Sequence, residues 1–192
     1  MKRLLISTAV AASTLLPIAA SAQALPPAIV AVVDLQRVES ECTACKAAIA
    51  ALRSQQAAQE NRERTLVGPL QTEKQSLQTA VNALKGKEPD AALQARIQAF
   101  QTKGQQAEQE ATRGREQLQR NSEYIQNQIV TKLNPIYSQV MQRRGANMLV
   151  DQRVTLATST SVDVTNDVLA ALNAALPAVQ TTAPAQAQPQ GR

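Results

Sequence analysis

The side chains best equipped for chemistry are the two cysteines of Cys42-Thr-Ala-Cys45, the only two in the 192-residue sequence. In an oxidising compartment a C-x-x-C closes a local disulfide, and a thiolate near a helix N-terminus is stabilised, so thiol exchange is one chemistry to weigh. The segment lacks the βαβ surroundings of a thioredoxin-like site and the neighbouring aromatic, Pro and His that usually complete one. Zinc needs four ligands, so two or more chains would have to contribute these cysteines. A local structural disulfide or idle thiols is the simpler expectation, with redox work and metal binding kept as alternatives. The sequence has no His, which removes a His general base, a Ser-His triad and a His-ligated metal. Neither phosphate-cradling pattern, G-x-x-x-x-G-K-[ST] or G-x-G-x-x-G, occurs. No catalytic residue, cofactor or metal site is expected, and the chain is not expected to be an enzyme.

The second chemistry is charge. Between residues 74 and 103 the cations Lys74, Lys85, Lys87, Arg96 and Lys103 stand against Glu88 and Asp90. Such a stretch attracts acidic unfolded chains and anionic lipid head groups over about 8 Å at physiological salt. Taken singly, each cation reads equally well as part of a solvated helix face. An isoelectric point near 9.6 also raises nucleic acid. Export and the scarcity of stacking side chains, with one Phe, two Tyr and no Trp, argue against that partner.

What must position these residues is an unusual body. Hydrophobic residues make up 44% of the chain, but 34 are Ala and bulky ones are scarce. An elongated helical shape, or apolar surface shared between subunits, follows. Residues 1–22 order a charged start (Lys2, Arg3), an apolar run and Ala20-Ser21-Ala22, which reads as a secretory signal cleaved before Gln23. No later segment reaches the roughly 18 consecutive apolar residues that span a bilayer. Removing Lys2 and Arg3 leaves 18 basic against 15 acidic residues. The periplasm is the expected compartment.

Ala28 to Asp34 is a β-branched run and reads as a buried strand. From about Glu39 to Leu84, Ala, Gln, Glu, Arg and Leu dominate, and Cys45, Ile49, Leu52, Leu66, Leu70, Leu77, Val81 and Leu84 recur at steps of three and four. Gly86 and Pro89 end that helix. A second long helix carries the seam Leu93, Ile97, Phe100, Gly104, Ala107, Ala111, Gly114, Leu118, Asn121, Ile125, Gln128 or Ile129, and Leu133. The short turn makes the two antiparallel, a hairpin about 65 Å long. Residues 148–151 and 154–158 read as two further strands, and Asp163 as the N-cap of a last helix ending near Leu176. Three short strands are too few for a self-sufficient sheet, so association of subunits would complete it. The Pro/Gln/Ala-biased end reads as disordered. The expected division is a signal at 1–22, a β-containing oligomerisation body from 23–38 and 145–176, a hairpin arm at 39–144 and a tail at 177–192. The fold class is α+β, mainly α, with a coiled-coil arm protruding from a small sheet.

This order of elements resembles the Skp/OmpH family of periplasmic chaperones for outer-membrane proteins over residues 28–176. The pieces that carry the resemblance are Ile29 to Asp34 running directly into a helix, Met148 to Asp151 followed by Val154, and Asp163-Val-Thr-Asn-Asp-Val-Leu169. The resemblance implies a homotrimer whose joined sheets form a body and whose three arms enclose an unfolded outer-membrane protein without ATP. The Cys42–Cys45 pair is a departure that it does not explain.

Within the arm, Gly104, Ala107, Ala111 and Gly114 are expected to face Gln71, Gly68-Pro69, Arg64 and Asn61, leaving the middle without interlocking side chains. Pro69 removes a helical hydrogen bond and crowds the preceding turn. Gly68, Pro69 and Gly104 are therefore the expected hinge, against the alternative of close helix approach with a static bend. Apolar client contacts could come from Leu66, Val67, Leu77, Val81, Leu93, Ile97 and Phe100, most of which read as seam residues first. Expected partners are unfolded outer-membrane proteins, two copies of the chain itself, and anionic lipid or lipopolysaccharide, but no nucleic acid. A structural envelope coiled coil that binds one folded partner is the rival reading.

Overall fold

The computed structural model describes residues 25–185. The export signal expected at residues 1–22 lies outside the described residues, as do residues 186–192 of the expected tail. Val30–Val33 (β1) carries the β-branched run and buries Ala31, Val32 and Val33. Branched side chains suit a pleated surface packed on a core. The strand pairs in parallel with Met148–Asp151 (β2), Val30 opposite Met148 and Val33 opposite Asp151. Parallel strands need a long crossover. Here the crossover is the whole helical hairpin.

The sheet has two strands, plus one bridge from Val32 to Asp163. Residues 154–158 form no strand, contrary to expectation; a 3₁₀ turn at Gln152–Val154 gives way to irregular chain in which Leu156 is fully exposed. The cause is local. The Asp151 carboxylate accepts from both the backbone N–H and the guanidinium of Arg153, and the Thr155 hydroxyl donates to the Gln152 carbonyl. The turn closed by these bonds carries the chain off the sheet.

The first helix starts earlier than the expected Glu39. Asp34 caps Leu35–Glu41 (α1), its carboxylate accepting from the Arg37 N–H at 2.9 Å. Cys42 then leaves helical geometry, ends α1 and caps Thr43–Ala83 (α2). The returning helix is Ala91–Arg144 (α3). At 41 and 54 residues these rods are about 60 and 80 Å long. Lys85 and Gly86 make the reversal with φ of 47° and 88°, and Asp90 caps α3 by accepting from the Leu93 N–H at 2.8 Å. Gly145 stops α3 in the left-handed conformation, the usual exit from a helix. Both long helices tolerate an internal proline, Pro69 in α2 and Pro135 in α3. The last helix is Thr165–Ala175 (α4), one residue later than an Asp163 cap would give; the Asp163 carboxylate still accepts from the Thr165 N–H at 2.8 Å.

One apolar cluster joins β1, α1, α4 and the bases of both long helices, with Val38, Cys45, Val140, Val168 and Leu172 at its centre. Ala44 and Ala48 on α2, and Ile125 to Val140 on α3, belong to it. The body therefore reaches into the stretch assigned to the arm, because the hairpin helices supply the bulky side chains that the short strands lack. The arm proper lies beyond Ala48 and before Ile125. Residues 178–183 also differ from the disordered tail expected: Val179 packs on the core, and the main chain that follows is hydrogen-bonded along the hairpin.

Candidate functional site

Three surfaces stand out on this frame: the buried cysteine corner, the arm, and the open side of the body. At the corner, Cys42 and Cys45 are joined in a disulfide and neither is exposed. Cys42 Sγ also accepts from the Cys45 N–H at 3.2 Å, and the Thr43 N–H is capped by Asn173 of α4 at 2.9 Å. The bridge fixes the angle between α1 and α2 inside the core. Both sulfurs are buried in the closed disulfide, an arrangement that suits a structural bridge better than thiol exchange.

In the arm the two helices meet close to the expected register. Ala107 and Ala111 are buried in the seam. Gly114 lies against the Gln59 side chain rather than Asn61, about half a turn away, and Gln59 donates to the Ala111 carbonyl at 3.4 Å. A Cβ on Gly104 or Gly68 would meet nothing within 4 Å. The middle of the arm is held mostly by charge: Arg115 bonds Glu63 on the facing helix and Glu108 on its own, and Arg62 lies 3.7 Å from Glu110. These pairs are exposed, and such pairs contribute about 0–1 kcal/mol each. Pro69 sits in this weakly joined stretch, exposed, and deprives the Thr65 carbonyl of its helical donor. Even so, α2 runs through it without a break.

The apolar candidates divide cleanly. Leu77 and Leu93 are buried in the seam, Leu66, Ile97 and Phe100 half-buried, and only Val67 and Val81 are exposed. Among the cations, Arg96 differs from the rest. Its guanidinium donates to Glu73 at 3.0 Å and to Ser76 Oγ at 2.9 Å, stapling α3 to α2. Glu73 is 23 residues away in the chain and meets Arg96 only because the hairpin brings α2 and α3 side by side. Lys74, Lys85, Lys87 and Lys103 are exposed and make no ion pair among the described residues.

At the base, Ile29, Val30, Met148, Val154 and Leu156 lie exposed around the two-stranded sheet. The polar side of the body is a latch between α1 and α4. The Asp34 N–H donates to Thr165 Oγ1 at 2.9 Å, and Arg37 reaches Asn166 at 2.9 Å and Glu41 at 3.0 Å. Glu41 raises the Arg37 pKa above its ordinary value. Burial pulls the Asp163 carboxyl upward, but bonds from Thr165 and the charge of Arg37 outweigh it and hold the group below its ordinary value. Arg153 lowers Asp151 in the same way. Sequence reasoning missed a further set, the amides Gln55, Gln117, Asn121 and Gln128, which hold residues 180–183 by their main chain. The spacing of Gln117, Asn121 and Gln128 along one side of α3 was the available signal.

No group of His, Cys, Asp or Glu able to hold a metal ion occurs among the described residues, and no described helix is long and apolar enough to cross a membrane. The fold defines a long helical hairpin carried on a small parallel-stranded body, with exposed charge on the arm and exposed apolar edges on the body. The three sequence pieces singled out earlier meet in that body: β1 with its Asp34 cap, β2, and the segment from Asp163 into α4. The chain belongs to the family of OmpH-like outer membrane proteins, whose model matches residues 29–172. It is also similar in structure to a candidate outer membrane chaperone (OmpH-like) from Caulobacter crescentus CB15, with a TM-score of 0.67 and 19% identity over 84% of this chain and 96% of the other. At that identity the likeness establishes the fold. No curated protein matches the chain by sequence.

Proposed function

We propose that the protein is an ATP-independent holdase of the periplasm, exported by its N-terminal signal, which encloses unfolded outer-membrane proteins between the arms of a homotrimer. The observation that carries this reading is the division of labour in the fold. Bulky side chains are concentrated in the body, while the arm beyond it is a thin, weakly joined rod with free lysines near its end. A rod of that kind costs little to bend, and its surface grooves are open rather than enclosed, which suits loose retention of many clients better than tight binding of one.

The exposed residues around β1 and β2 support association through the body. A two-stranded sheet is marginal alone, and apolar side chains such as Met148 and Leu156 are the material with which a second and third copy would complete it. Gly68, Pro69 and Gly104 serve as the hinge that sets the enclosed volume. Lys74, Lys85, Lys87 and Lys103 draw in acidic segments of clients or anionic lipid, including lipopolysaccharide, whereas Arg96 acts mainly as a staple. The test is suppression of aggregation when a denatured outer-membrane β-barrel protein is diluted from urea. Protection at near-stoichiometric trimer supports the holdase; no protection at any ratio refutes it and leaves a structural coiled coil.

A further inference from the structure

The amides Gln55 on α2 and Gln117, Asn121 and Gln128 on α3 read the backbone of the segment laid over them. Gln128 engages both main-chain groups of Gln180, donating to its carbonyl at 2.8 Å and accepting from its N–H at 3.0 Å. Asn121 Oδ1 accepts from the Ala183 N–H at 2.9 Å. Gln55 donates to the Thr181 carbonyl at 3.1 Å and Gln117 to the Ala183 carbonyl at 3.4 Å. An added strand is recognised by the same main-chain groups; amide side chains supply the partners here. The side chains of Gln180, Thr181, Thr182 and Ala183 make none of these bonds.

The amides of the track also brace one another. Asn121 is 4% exposed, and its amide is fixed between Gln55 at 2.8 Å and Gln117 at 2.7 Å. Beyond Thr182 the trough continues between Gln59, Arg62, Glu110 and Arg113 as an open cavity of about 610 Å³. It has room for more chain than residues 180–183 occupy.

We propose that this amide track is a sequence-tolerant site for an extended polypeptide backbone, filled by residues 180–183 when no client is present and taken over by an extended segment of an unfolded protein. The identity of that ligand rests on the holdase reading; the existence of the site does not. Because the resident segment is tethered, a client competes with it at a high effective concentration. Only stretches with unpaired N–H and C=O groups compete, so a folded protein is ignored and an unfolded one engaged.

The test uses the full chain with Gln180→Pro and Ala183→Pro, which delete the two N–H groups that Gln128 and Asn121 accept from; a circular dichroism melt matching the wild type shows that the body, on which Val179 packs, stays folded. The probe is a fluorescent peptide of the sequence of residues 177–185. If the resident segment is docked about nine-tenths of the time, the double variant binds the peptide about tenfold more tightly than the wild type. A peptide N-methylated at the two corresponding positions loses that binding. Equal binding by variant and wild type, or by methylated and unmethylated peptide, overturns the proposal.

Hydrogen exchange on the unaltered protein gives an independent reading. The amides of Gln180 and Ala183 are protected, and a denatured outer-membrane β-barrel protein removes the protection. Persistent protection while that client is held in solution refutes the takeover. Peptide binding without any suppression of client aggregation would instead support the site and remove the holdase reading.

Discussion

Replacing Pro69 with Ala should stiffen and stabilise the arm, and the size of the effect follows from its surroundings. Pro69 is exposed in the middle of an unbroken α2, so Ala needs no new space there. The substitution restores an N–H aimed at the Thr65 carbonyl and removes the ring from the preceding turn. In a helix interior Pro is about 3 kcal/mol less favourable than Ala. For a chain of this size about 2–4 °C of melting temperature accompany each kcal/mol, so the midpoint should rise by about 6–12 °C if arm and body melt together. Gly104→Ala is the calibrating variant, since its Cβ would meet nothing within 4 Å; it should give about 1 kcal/mol, a third of the effect. Far-UV circular dichroism melts at fixed protomer concentration measure the stability. Spin labels on Lys87→Cys and Thr160→Cys measure the spread of tip-to-body distances, which should narrow in the Pro69→Ala protein. A midpoint that does not rise would refute the helical argument. An undiminished spread would refute the hinge even if the midpoint rises.

Three further outcomes are expected. Stability should be flat between about pH 5 and 8, because the chain has no His to titrate there. It should fall in acid: the Asp163 and Asp151 carboxyls lie below their ordinary values, so their contribution is complete above an unfolded value of about 3.9 and is lost as pH drops through the folded ones. Urea midpoints across pH check this, and a wild-type loss between pH 5 and 7 would contradict it; Asp163→Asn should flatten part of the acid slope. Converting Lys74, Lys85, Lys87 and Lys103 together to Gln should slow capture of an acidic unfolded client about tenfold at low ionic strength and make no difference near about 0.5 M salt. Stopped-flow fluorescence reads this, and equal rates at low salt would show the lysines to be mere solvated surface. Removing the buried disulfide with Cys42→Ala and Cys45→Ala should cost about 2 kcal/mol, the chain-entropy value for so short a loop, and lower the melting midpoint by about 4–8 °C. Protection of clients should survive at temperatures where the variant is folded, and its loss there would point to thiol chemistry after all.

The strongly periodic parts of this fold were legible from sequence. The run at Val30–Val33 announces itself as a short, continuously apolar, β-branched stretch buried on both faces, and the seam from Leu93 to Leu133 by one helix face turned to its partner. What failed was decided by short polar contacts. Val154 to Thr158 has strand-forming residues, but Arg153 folds back on Asp151 and turns the chain away. The corner at Cys42 was hidden inside a stretch of good helix formers, and Asp34 as a cap was the clue that the helix begins at Leu35. For the final residues, Pro/Gln/Ala bias argued disorder because such a segment buries little apolar area. Amide side chains can nonetheless hold a bare backbone, and Gln55, Gln117, Asn121 and Gln128 do so here. In the candidate site, Cys42, Cys45 and the free lysines were named from sequence. The role of Arg96 needed the position of Glu73 across the hairpin.

The proposed holdase requires bodies that associate through their exposed sheet edges and arms that project from them. Light scattering combined with small-angle X-ray scattering on the purified native protein tests both at once. The predicted result is a mass of three chains with a particle much longer than a sphere of that mass; a single chain with a compact scattering profile would contradict it.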